Sequence, residues 1–162
     1  MTRFPLAAKA PRRISGRLAA ASGASWLALA ALVLAAAPAL AGGLPRTPAP
    51  EGARVYFIGL EDGDTVSSPV VVRFGLENMG VAPAGVDQAA TGHHHLLIDT
   101  ELTDPSLPIP SDENHRHFGG GQTEVSLDLA PGKHTLQLVV GDHLHIPHDP
   151  PIVSQRIEIT VE

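Results

Sequence analysis

The sequence predicts an all-β domain, with an Ig-like Greek-key β-sandwich as first choice and a small cupredoxin-like barrel as second, preceded by a signal-peptide helix. Three observations carry this. From Arg54 onward the apolar residues recur in short runs of period two, clusters of Gly, Pro, Asp and Ser separate the runs, and no stretch there repeats at helical spacing.

The leader comes first in the chain. Residues 1–17 carry Arg3, Lys9, Arg12, Arg13 and Arg17 with no acid, and residues 18–41 carry no charge and are mostly Ala and Leu. This is the basic then apolar order of an export signal. Ala39-Leu40-Ala41 before Gly42 suits signal peptidase, and Pro38 breaks the helix just upstream. A signal peptide over 1–41 is therefore expected, and with it a periplasmic or secreted protein. The uncharged run is also long enough to cross a bilayer core of about 30 Å, so an uncleaved anchor is the alternative, and only then is the membrane a partner. The Arg12-Arg13 pair suits a twin-arginine signal, although the Ile14-Ser15-Gly16-Arg17 that follows departs from that pattern.

Residues 42–53, GGLPRTPAPEGA, are rich in Gly and Pro and read as a linker. The domain spans 54–162. Strands are expected at 55–58, 70–76, 94–98, 125–129, 136–140 and 157–161. Alternation turns Val70, Val72, Phe74 and Leu76 inward against Val71, Arg73 and Gly75, and Ile157, Ile159 and Val161 inward against Glu158 and Thr160. Two connections, 100–121 and 141–154, are longer than a sandwich needs and are rich in Pro and His, which marks them as functional.

Losing residues 1–41 would leave six basic against seventeen acidic residues, a formal charge of −11 with histidines neutral. Such a surface repels phosphate backbones and draws cations, so nucleic acid is excluded as a partner. With no cysteine there is no disulfide framework, thiolate ligand or thiol nucleophile. No G-x-S-x-G elbow occurs either, and Gly119-Gly120-Gly121 lacks the Lys-Ser/Thr of a phosphate loop.

All nine histidines lie between 93 and 148, and six of them form H-x-H pairs: His93 with His95, His115 with His117, His143 with His145. On an extended strand residues i and i+2 share a face about 6.5 to 7 Å apart. Two such rings can converge on one ion at roughly 2.0 to 2.1 Å per bond. His93, His95, His143 and His145 are the first choices as ligands and His117 is next. His94, on the face of Leu96 and Ile98, fits a buried structural histidine and is a weaker candidate, as are His115 and His148 in irregular sequence. His134, at a turn, fits a solvent-exposed role. Imidazoles without thiolates suit Cu(II) or Zn(II) as the bound divalent metal.

The stretches GHHHLLID (92–99), HRHFGGGQTE (115–124), PGKHTLQL (131–138) and GDHLHIPHDPP (141–151), with the opening VYFIGLEDGDTVSSPVVVRFGLENMGVAPAG (55–85), resemble a family of short secreted bacterial proteins known only as domain of unknown function 4399. The resemblance covers the mature domain, implies that these segments form one unit, and brings no activity with it. DGDTVSSPV is also similar to the first strands of Ig-like and copper-resistance periplasmic β domains.

The leading functional expectation is an extracytoplasmic binding protein that captures or hands over a divalent metal, with another envelope protein as a further partner and no catalysis required. The alternatives are a redox copper enzyme of superoxide-dismutase type, which GHHHLLID resembles without that family's cysteines and with Arg116 as its anion guide, and an Ig-like envelope module whose histidines respond to pH.

Overall fold

The computed structural model describes residues 44–162. The expected signal peptide, 1–41, lies outside the described residues. Among the described residues nine strands form: β1 (Arg54–Ile58), β2 (Thr65–Val66), β3 (Val70–Glu77), β4 (Gly80–Val81), β5 (Thr91–Ile98), β6 (His115–His117), β7 (Glu124–Leu127), β8 (Gly132–Gly141) and β9 (Ile157–Val161). Each of the six apolar runs becomes a strand. The other three are too short to leave an apolar signature.

β1, β3 and β7 make one antiparallel sheet, and the second runs β2-β9-β8-β5-β4 with β6 also on β5. The free edge of β5 is shared: β4 pairs in parallel with Thr91 and Gly92, and β6 pairs antiparallel with His95 to Leu97. The two sheets pack face to face as the expected Ig-like sandwich, with Val72 and Phe74 of the small sheet against Leu96, Leu138, Val140 and Ile159 of the large one. Alternation decides this, because these positions share one parity along each strand.

The outer face of the large sheet is also covered. Leu97 and Val139 point away from the main core and pack under Ile109 and Leu102 from the long 100–114 connection. That cover lies on the same side of β5 as His93 and His95.

The stretch expected to be a linker is stitched to the fold from Arg46 onward. Arg46 donates to the carbonyls of Pro147 and His148 and pairs with Asp149, the Thr47 hydroxyl donates to Asp142 at 2.7 Å, the Ala49 N–H donates to the Asp149 carbonyl and the Asp149 N–H to that of Thr47. Composition shows the lack of an apolar pattern, but it does not show backbone bonding of this kind.

At the opposite end of the large sheet His134 clamps β8 to β5. Its Nδ1 lies 2.7 Å from Asp99 Oδ2 and its Nε2 lies 2.9 Å from the Ala130 carbonyl, so both nitrogens face acceptors and the ring is held as imidazolium. The hydrogen bond to Asp99 raises its pKa above the ordinary value. A raised pKa stabilises fully below the unfolded value near 6.5, and that stabilisation is lost as pH rises through the folded value. Thermal unfolding of His134→Gln against the parent is expected to show its largest gap below pH 6.5, closing on the alkaline side. A gap independent of pH would remove the imidazolium.

Candidate metal centre

β5 carries alternate residues to opposite faces. Leu96 and Ile98 enter the main core, and His94 goes with them, fully buried with its ring 5.1 Å from that of Phe74. His93 and His95 face outward and are nevertheless only 1 % exposed, because β6, β8 and the following loops close over them.

Strand register brings the third ring. His117 of β6 lies directly opposite His95, and directly opposed residues project to the same face. On the other side His93 is paired with Gly141, the last residue of β8.

The chain then leaves the sheet in a tight turn. Asp142 Oδ1 accepts the N–H groups of Leu144 at 2.9 Å and Ile146 at 3.0 Å, and the His145 N–H donates to the Asp142 carbonyl at 2.9 Å. His145 adopts a left-handed φ of 66°, and its ring turns back over β5. Its Nδ1 lies 3.1 Å from His93 Nε2, which lies 3.1 Å from His95 Nε2.

The ligand nitrogens of His93, His95, His117 and His145 all lie within 4.8 Å of one another. Four nitrogens at tetrahedral corners around an ion 2.0 to 2.1 Å away are about 3.3 Å apart, so the spacing already suits one central ion.

The electrostatics suit it too. Burial, then the charges that neighbouring rings would carry, lowers the pKa of His93 to about 4 and that of His95 to about 2, and burial lowers His117 as well. The buried pair is neutral at pH 7, the form that donates a lone pair to a metal. The Nδ1 atoms of His93 and His95 have no protein partner, so no carboxylate orients these rings from behind.

Glycines leave room for two of the rings. A Cβ on Gly119 would collide with the His117 imidazole, and one on Gly141 would sit 3.1 Å from His95 Nε2. Gly119→Ala is therefore expected to weaken metal binding about ten- to hundredfold, the range for disturbing the surroundings of metal ligands, with the circular dichroism of the sandwich unchanged. Unchanged Zn(II) affinity would show that His117 is not a ligand.

The remaining histidines stand apart. His143, expected among the ligands, lies outside the group: it sits 3.7 Å from Asp87 and its carbonyl accepts from Gly85. Continued period-two parity along β8 would put it on one face with His145, but the strand ends at Gly141. His115 shares the face of His117 but bonds Asp112 at 2.8 Å. His148 is fully buried beside Gly92, with neither ring nitrogen partnered. Neither ring nitrogen of His94 makes a full hydrogen bond; burial lowers its pKa to about 4, and the Gln122 backbone pulls weakly the other way. Nothing in the sequence singles out Thr47, although Asp142 two residues before Leu144 is a recognisable turn signal.

A family model described as "Domain of unknown function (DUF4399)" matches residues 72–162. The chain belongs to this family. The DUF4399 match starts inside β3 and takes in every histidine of the chain. No curated protein matches the sequence. Among solved structures, one titled "Structures of Clostridium thermocellum CbhA fibronectin(III)-like modules" is similar at 9 % identity and a TM-score of 0.31, covering 66 % of this chain and 92 % of that one.

Proposed function

We propose that this DUF4399 protein works outside the cytoplasm as a metal-binding protein, capturing or handing over a divalent ion, copper or zinc, through His93, His95, His117 and His145. One observation carries the reading: four imidazole nitrogens from three separate segments meet within 4.8 Å. Isolated surface histidines have no reason to do so at the cost of burying two polar rings. The neutral state of the buried pair and the acidic balance of residues 42–162 support the same reading. The leader supports export, and handing over would make a second envelope protein the partner.

The binding reading is preferred to a redox copper enzyme because of Arg116. The anion-guiding arginine of that alternative belongs beside the ion, whereas Arg116 shares a groove with Glu113 and Asp128, on the face of β6 opposite His117.

The test is metal content followed by titration of the purified chain with Cu(II) and Zn(II) against a competing chelator. One ion per chain, held far tighter than by free histidine, is expected. An affinity no better than that of free histidine would remove the metal reading and leave the envelope module with pH-responsive histidines.

A further inference from the structure

We infer that Asp142 is the counter-charge of the histidine centre, a positioning residue fixed beside it by the N-terminal segment through Thr47. This rests on the metal reading above. Four neutral imidazoles leave the full charge of a bound ion uncompensated, and the two buried rings have no carboxylate behind them. An anion close by but outside the ligand set would supply the balance.

Asp142 is the only buried acid among the described residues, at 2 % exposure. It follows Gly141, which stands opposite His93 in the ladder and against His95 Nε2. Its carboxylate accepts three hydrogen bonds: from the Thr47 hydroxyl at 2.7 Å and from the backbone of Leu144 and Ile146. Three donors converge on the two oxygens, the arrangement that favours a carboxylate over the acid.

The same carboxylate shapes the loop, since the turn it organises points His145 at the other rings. Arg46, bonded to the carbonyls of Pro147 and His148, and Pro48, bridged to Asp149, hold Thr47 in register with it. Ion binding is thus coupled to the docking of residues 46–49.

Asp142→Asn separates charge from shape. The amide oxygen keeps both backbone donors, the amide nitrogen can donate to Thr47, and only the charge is lost. The Coulomb energy of a fixed anion scales with the charge of the ion, so the loss in log K should be twice as large for a divalent as for a monovalent one.

The experiment titrates the parent chain and Asp142→Asn with Zn(II), and with Cu(I) under anaerobic conditions, each against a competing chelator. The expected loss is about tenfold for Zn(II) and about threefold for Cu(I). Equal losses for the two ions, or none, overturn the counter-charge. If Asp142→Asn does not fold, Thr47→Val keeps the carboxylate and removes one donor: weaker Zn(II) binding is expected, and an unchanged value overturns the inference. A parent chain that holds neither ion removes the inference together with the metal reading. Tight binding by the parent and an unaffected variant removes the inference alone.

Discussion

Replacing His93 and His95 together by leucine is expected to abolish tight metal binding and, with it, the whole rise in Tm that the ion gives the parent chain. These two rings form the buried floor of the centre, and their removal leaves His117 and His145 alone at its mouth. A ligand that binds only the folded state at a thousand times its Kd stabilises by about 4 kcal/mol. For a domain of this size that is on the order of 10 to 20 °C in Tm. Differential scanning of both proteins with and without Zn(II) reads it directly. The metal-free variant should unfold no earlier than the parent, because leucine takes the place of polar rings buried without full partners. A Zn(II)-dependent rise that survives in the variant would place the ion elsewhere.

Acid is expected to unfold the metal-free chain well before it unfolds an ordinary sandwich. Three adjacent histidines are buried with lowered pKa values: His93 and His94 at about 4 and His95 at about 2, desolvation being the largest cause in each. Folded, they stay neutral; unfolded, each takes a proton below about 6.5. A lowered folded value gives stability that is complete above the unfolded value and is lost as pH falls through the folded one. The window therefore opens near pH 6.5 and runs down to about 4 for His93 and His94, and further for His95. Each proton contributes a slope of roughly 1.4 kcal/mol per pH unit, so three together exhaust a net stability of about 5 to 15 kcal/mol within a few units. Urea unfolding at successive pH values measures it, and a flat midpoint between pH 6.5 and 4.5 would sink the account. Saturating metal should delay the loss, since protons and ion compete for the same lone pairs.

Much of this was legible in the sequence, for reasons that can be named. Period-two alternation is set by backbone geometry, so the core faces of β3, β8 and β9 and the outward direction of His93 and His95 follow from residue order alone. The inward place of His94 follows by the same rule, and it ends beside Phe74. His117 depends on pairing instead. Its three-residue strand has no apolar signature, and only the register against β5 sets it opposite His95. His145 depends on a left-handed residue in a turn, where alternation no longer applies, and for that reason His143 could not be told from it. The role of Arg46 to Ala49 was hidden because single side chains and backbone bonds, which leave no periodic trace, hold this segment in place.

The brevity of β6 leaves one wall of the histidine cluster with few bonds to hold it. It is three residues long and joins the sheet along one side only, while β5 and β8 are locked into the centre of the large sheet. Short edge segments open locally at far lower free energy than the body of a domain. Peeling of residues 115–117 would withdraw one donor and uncover the two deep rings without disturbing the main core. On the proposed metal reading, such local opening of β6, rather than unfolding of the sandwich, would limit the release of an ion.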